Sequence, residues 1–275
     1  MTLNHNFFGG LLSDRSLRRK RLAIYSWLAA LILVTAGVAG FALLHKTEAP
    51  TDGFDVARAD AEDREAEAAR ATKAKADLEA ATVPLVFPSD GTPLRVLYSG
   101  GSISEGYYTS APEKAFRPIL TSKLREYGPV EEVGTYKADA SVRYVTENFE
   151  TPENIGLAVI ELGTNDSRVE GNAPDFTARF AAYLADLRLK SPNIQFLCLS
   201  VWAPSNTRTV PYNDAISAEC EKQGGRYVDL TFTFPLSTLR GPEGIQTWGG
   251  LSDVAHPNDD GHAALAQMIL DRIRH

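Results

Sequence analysis

From about residue 92 the chain alternates two kinds of pattern. LRVLYS (94–99), GLAVIELG (156–163) and IQFLCLSVW (194–202) are nearly unbroken apolar runs, with VEEV (130–133) and RYVDL (226–230) as shorter members. Runs of this kind, without polar alternation, predict strands covered on both faces. Between them lie EKAFRPILTSKLREYG (113–128), PDFTARFAAYLADLRLK (174–190), NDAISAECEKQGG (213–225) and HAALAQMILDRIR (262–274). These have helical spacing; in the second, Phe176, Phe180, Tyr183, Leu184 and Leu187 fall on one face. Strands alternating with helices predict an α/β domain with a central parallel sheet between helical layers. In such sheets ligands bind beyond the carboxyl ends of the strands.

The N-terminal third follows other patterns. Residues 22–44, LAIYSWLAALILVTAGVAGFALL, carry no charge. At ~1.5 Å per residue the run is long enough for a bilayer core of ~30 Å. A secretory signal has a shorter apolar region, about 7–15 residues, so an uncleaved transmembrane anchor is expected, with a cleaved signal as the alternative. Arg15, Arg18, Arg19, Lys20 and Arg21 precede it, which places residues 1–21 in the cytoplasm and the rest outside. Residues 45–91 predict a stalk and linker. DVARADAEDREAEAARATKAKADLEAA (55–81) is alanine with charges, and pairs such as Arg58–Glu62 and Lys73–Asp77 stand four apart, as a solvated helix favours. Pro84, Pro88 and Pro93 close it, and a compact domain over 92–275 follows.

Charge and cysteines narrow the field. Residues 84–275 hold 17 Lys and Arg against 24 Asp and Glu, a balance of −7. That argues against nucleic acid as a partner, since it binds positive surfaces. The two cysteines, Cys198 and Cys220, make neither a disulfide framework nor a metal cage. Buried free thiols are expected, with a single bridge as the alternative.

Four polar clusters fall after strands or before the last helix: GGSISEG (100–106), the segment from Gly134, GTND (163–166) and DVAHPN (253–258). A serine hydroxyl needs a base to react at neutral pH. His256 has the right pKa range for that base, and Asp253 stands three residues before it to fix its tautomer. The oxyanion of an acyl intermediate needs donors, and the Ser102 backbone N–H and the Asn165 side-chain amide are available. A glycine before the serine lets substrate approach.

These ordered clusters resemble the blocks of the SGNH/GDSL esterase–lipase family, with GGSISEG as the first, GTND as the third and DVAHP as the last, over roughly residues 94–275. The resemblance implies a flavodoxin-like three-layer fold and no metal or organic cofactor. By position it makes Ser102 the nucleophile, His256 the base, Asp253 its orienter and Asn165 an oxyanion donor. Gly101 stands where the family usually has Asp, a variant found among its carbohydrate-esterase-like members. The second block, VGTYKADASVRY, offers only Gly134 as an oxyanion glycine; the amides of Ala138, Asp139 or Ala140 are the alternatives.

Other polar residues are expected to be structural: His262 at the final helix, and Asp166 as a cap or loop bond. Tyr107, Tyr108, Trp202 and Trp248 are candidates for either a substrate groove or packing, and the glycine-rich loop 240–253 for a mobile rim. The function expected is a membrane-anchored, extracytoplasmic serine esterase. Its substrate would be an acyl ester, short-chain or O-acetylated on a glycan. An O-acyltransferase on an envelope glycan, or a tethered binding module without catalysis, are the alternatives.

Overall fold

The computed structural model describes residues 53–275. The expected cytoplasmic tail and membrane span, 1–44, lie outside the described residues. Among the described residues no helix is long and apolar enough to cross a membrane. Helix α1 (Gly53–Ala81) is the alanine-and-charge segment, exposed along Arg64–Ala80, with the Lys73–Asp77 ion pair at 2.7 Å.

Thr72–His275 forms one compact unit. The last turn of α1 is tied into it: the Glu79 carbonyl accepts from Arg226 Nη2 at 2.9 Å. Strand β1 (Val83–Pro84) pairs in parallel with β9 (Ile273–Arg274), and Val83 is buried. Packing onto the domain therefore begins ahead of residue 92.

The central sheet has five strands, β2 (Leu94–Gly100), β3 (Val130–Tyr136), β4 (Leu157–Glu161), β5 (Gln195–Leu199) and β6 (Arg226–Val228). All are parallel, in the order β3-β2-β4-β5-β6. Counted from the first strand of the sheet this is the flavodoxin-like order 2-1-3-4-5. Alternate residues feed two cores, which explains the continuous apolar runs. Leu97, Ala158, Ile160 and Phe196 face α4 (Val142–Asn148), α5 (Ala173–Lys190) and α6 (Val210–Lys222). Val96, Tyr98, Val159 and Leu199 face α3 (Phe116–Leu124) and α7 (Asp259–Leu270). The order reverses between β2 and β4, and Gly100 at the end of β2 is level with Glu161 at the end of β4. The segments leaving these two strands carry Ser102 and Asn165.

Local chemistry shifts several helices from their expected limits. The 113–128 segment splits into a 3₁₀ turn (Pro112–Lys114), extended Ala115, and α3. Pro118 has no N–H and clashes with a preceding helical turn, so it is tolerated only in the first turn of a helix that starts at Phe116. The last helix begins earlier, at Asp259, because Asn258 caps it by accepting from Gly261 N–H at 3.0 Å. Its expected end unwinds into β9. Helix α4, too short for a period to emerge from the sequence, is capped by Ser141.

The cysteines correct the expectation of free thiols. Cys198 on β5 and Cys220 on α6 form a disulfide, since both point into the same core. It closes a loop of sequence separation 22, which stabilises a fold by about 3 kcal/mol through the unfolded chain. Reduction, or the paired Cys198→Ala and Cys220→Ala variant, should lower the urea midpoint accordingly; an unchanged midpoint would show that the bridge adds nothing.

Candidate active site

The site begins where β2 ends. A four-residue helix, α2 (Ser102–Glu105), starts directly after Gly101 and stops at Gly106, whose φ of 94° suits glycine. Gly100 and Gly101 have no such backbone requirement; space explains them. A Cβ on Gly100 would meet Ser104 Oγ at 2.2 Å and Glu161 Oε2 at 2.7 Å, and one on Gly101 would meet Asn165 Nδ2 at 2.7 Å. Two side chains, the Glu161 carboxylate and the Asn165 amide, occupy the room that the glycines leave.

Three residues from opposite ends of the domain meet here. Ser102 Oγ lies 2.8 Å from His256 Nε2, and His256 Nδ1 lies 2.8 Å from Asp253 Oδ2. The other Asp253 oxygen accepts the Ala255 and His256 amides at 2.8 and 2.7 Å. Burial pulls the Asp253 carboxyl upward, but the His256 and Ala255 amides and the His256 ring outweigh it and hold it below its ordinary value. An ionised Asp253 accepts a hydrogen bond from Nδ1–H, a tautomer that leaves Nε2 with a lone pair toward the serine. The Asp–His turn is itself braced. Trp202 donates from Nε1 to the Ala255 carbonyl at 2.7 Å and from its amide to Thr164 Oγ1 at 3.0 Å. Tyr108 stands edge-on to the His256 ring at 4.9 Å.

Asn165 is buried, and its Nδ2 donates one hydrogen to the Ala140 carbonyl at 3.0 Å. This fixes the amide's orientation and leaves the second hydrogen on the nitrogen that sits over Gly101. Asp166 is structural, as expected: its carboxylate accepts the Val142 amide at 3.0 and 3.3 Å and so caps α4. Gly134 requires a correction. It lies inside β3, level with Tyr98, packed by the Tyr136 ring and two residues short of the strand end that is level with Gly100. The loop that does approach is Lys137–Ala140. Within it Lys137, Ala138 and Ala140 donate to Gly100 O, Glu105 Oε2 and Lys137 O. The Asp139 amide, at φ 62°, has no acceptor among the described residues.

Sequence reasoning missed Glu161. It is buried at the end of β4, and its Oε2 accepts from Gly101 N–H at 3.1 Å, Ser104 N–H at 3.2 Å and Ser104 Oγ–H at 3.0 Å. Burial pushes its carboxyl up to about 7, against the pull of those three donors. The available signal was a lone acid closing an otherwise apolar strand. His262 is structural, as expected. Its Nδ1 accepts the Phe116 amide at 3.2 Å and its Nε2 faces the Tyr107 carbonyl at 3.1 Å. Burial drives it down to about 4, so the ring is neutral.

A cleft of about 330 Å³ opens over the serine, lined among others by Asn165, Arg168, Trp202, Phe234 and His256. Of the four aromatic candidates only Trp202 lines it. Tyr107 and Trp248 pack edge to face at 6.5 Å beside Tyr108. The 240–253 loop folds into a hairpin of β7 (Gln246–Thr247) and β8 (Gly250–Leu251), pinned by Trp248 N–H to Thr109 O at 3.0 Å. Among the described residues no group of three His, Cys, Asp or Glu side chains could hold a metal.

A flavodoxin-ordered sheet with hydroxyl, imidazole, carboxylate and amide gathered at its switch point defines a hydrolase of the SGNH kind. The chain belongs to the GDSL-like lipase/acylhydrolase family, whose sequence pattern matches residues 99–264, and it is a carboxylic ester hydrolase of that type. A comparison with curated protein sequences finds no match. Solved structures agree in fold. The psychrotrophic esterase EstA from Pseudoalteromonas sp. matches at 14% identity and a TM-score of 0.51, covering 65% of this chain and 96% of that one. A Clostridium thermocellum family 3 carbohydrate esterase matches at 15% and 0.51, covering 64% and 93%. A two-domain esterase active on acetylated mannans matches at 16% and 0.51, covering 66% and 49%. At these identities the likeness is one of fold.

Proposed function

We propose that the protein is a serine esterase that cleaves acyl esters through an acyl-enzyme. The observation that carries this is the continuous row Ser102 Oγ–His256 Nε2 and His256 Nδ1–Asp253 Oδ2, each step 2.8 Å. Ser102 Oγ attacks the ester carbonyl while His256 Nε2 takes its proton. Asp253 stabilises the resulting imidazolium and keeps the ring oriented. The oxyanion is held by Ser102 N–H, the free hydrogen of Asn165 Nδ2, and the Asp139 N–H in the role first expected of Gly134. The tetrahedral intermediate collapses, and His256 passes its proton to the leaving alcohol. Water then attacks the acyl carbon as the same nitrogen takes its proton, and the bond to Ser102 Oγ breaks as that proton passes to Oγ, which releases the acid and free Ser102.

Hydrolysis is favoured over transfer to a sugar because the Asp253 side chain is 41% exposed and water has access to the row. The intact row likewise weighs against a binding module without catalysis. The small cleft suits short acyl groups, and O-acetylated glycans are the proposed substrates; two of the fold relatives are carbohydrate esterases, one of them active on acetylated mannans. We place the enzyme outside the cytoplasm, anchored by residues 22–44. The uncharged run supports the anchor, and the Cys198–Cys220 disulfide suits an oxidising compartment.

The test is turnover of p-nitrophenyl acetate, butyrate and octanoate by the purified protein, with fluorophosphonate labelling of Ser102 read by peptide mapping. Acetate should be the best of the three. A folded protein that neither turns over nor labels would remove the esterase reading.

A further inference from the structure

Arg168 is the cleft residue that the esterase chemistry leaves unused. It sits on a short π-helical segment, Asp166–Glu170, three residues after Asn165, and lines the same cleft as Ser102 and His256. The backbone under it is fixed: Ser167 N–H donates to Gly163 O at 2.9 Å, Ser167 Oγ to Thr164 O at 2.8 Å, and Asp166 is locked onto α4. Its guanidinium, by contrast, has no hydrogen bond or ion pair among the described residues.

The rest of the domain makes that notable. Residues 84–275 carry seven more acidic than basic side chains, 24 against 17. Carboxylates are plentiful, and other arginines use them, as in Arg143–Asp175 and Arg95–Glu131. The two acids that line the cleft are already engaged, Glu161 with the Gly101 and Ser104 donors and Asp253 with His256. Trp202, Ala203 and Phe234, which line the same cleft, have no acceptor side chain. A guanidinium carries five donors in a planar fork that matches carboxylate and phosphate oxygens, and it is less strongly hydrated than an ammonium.

We propose that Arg168 is a specificity residue that selects esters bearing an anionic oxygen group, a carboxylate or a phosphate, near the scissile bond. The assignment rests on the esterase reading and adds to it the charge of the substrate. A single arginine in the cleft of a net acidic domain fits one anionic group at a fixed distance from the ester, and does not fit a polyanion, which the surrounding charge would repel.

The experiment compares kcat/KM for phenyl acetate, 4-acetoxybenzoate, 4-acetoxyphenyl phosphate and mono-p-nitrophenyl succinate in the full chain and its Arg168→Gln, Arg168→Lys and Arg168→Glu variants. The anionic-to-neutral ratio is the readout, since its change between variants cancels intrinsic ester reactivity. Arg168→Gln should lower that ratio about tenfold for at least one anionic ester, the size of one partly solvated charge-assisted contact. Arg168→Lys should keep part of it, and Arg168→Glu should reverse the preference. Added salt should shrink the wild-type preference and leave that of Arg168→Gln unchanged. The ester that responds most identifies carboxylate or phosphate, and the acyl or alcohol side. Equal ratios in all four proteins, with phenyl acetate still hydrolysed, would overturn the assignment alone. No turnover of any ester by folded wild type, and no fluorophosphonate labelling, would overturn the esterase reading and this inference with it.

Discussion

Ser102→Ala is expected to abolish fluorophosphonate labelling and to cut kcat/KM for p-nitrophenyl acetate by about 10⁴-fold or more, with the fold intact. Removing a nucleophile that acts as one unit with its base costs nearly the whole covalent route. The remaining donors still polarise a bound carbonyl, so a small residual rate above water should persist. The geometry ranks the partners. Asp253→Asn keeps the shape of the turn but donates toward Nδ1, which favours the wrong tautomer; a loss of about 10⁴ in kcat follows. Asn165→Ala removes one of the proposed oxyanion donors and should cost about 10²–10³ in kcat. It also frees the Ala140 carbonyl, so its thermal midpoint should fall slightly. The order matters more than any single value. If Asn165→Ala were as inactive as Ser102→Ala while still labelling normally, oxyanion stabilisation by that amide would not be its role.

How much of this was legible in the sequence follows from which information is local. The strands were readable because two-sided burial demands continuous apolar runs, and Ser102, Asn165, Asp253 and His256 were readable because each sits in a short block at a strand or helix boundary. What brings them together is long-range: 154 residues separate Ser102 from His256. Only the parallel topology implied that they would share one rim. The misses have the opposite character. Glu161 hides in an apolar strand, and its purpose appears only when Gly100 and Gly101 are seen to open space for it and for Asn165. The Cys198–Cys220 bridge depends on a strand position and a helix position facing the same core. Gly134 has the residue type that the second block calls for, whereas what an oxyanion donor needs is a free amide; the alternatives Ala138, Asp139 and Ala140 also carry an amide. Any non-proline residue has one, and Asp139 presents it at a positive φ that sequence reading assigns first to glycine. Residue type predicts side-chain chemistry well and backbone chemistry poorly.

Glu161 and His262 support the same region from two sides, Glu161 beneath the Ser102 turn and His262 behind Tyr107, and their titrations oppose each other. Glu161 is raised from an ordinary 4.5 to about 7, so the folded state binds its proton more tightly than the unfolded chain does. Stability contributed at low pH is then lost as pH rises from about 4.5 to 7. His262 is lowered from 6.5 to about 4, so the unfolded chain binds the proton more tightly, and stability is lost as pH falls from about 6.5 to 4. Each shift corresponds to about 3 kcal/mol. The two slopes overlap between about 4.5 and 6.5 and nearly offset each other there, so the wild type should show little pH dependence from this pair. Single variants should expose the hidden terms. Relative to wild type, Glu161→Gln should improve by about 3 kcal/mol as pH goes from 4.5 to 7, whatever its absolute loss from disturbing the Gly101 and Ser104 bonds. Relative to wild type, His262→Gln should lose about 3 kcal/mol as pH goes from 4 to 6.5. Urea unfolding across that range measures both, and the difference from wild type removes the contributions of every other carboxylate. Curves for the two variants that run parallel to wild type would mean that neither group changes its proton affinity on folding, and that the glycine pair makes room for a carboxylate no different from one in water.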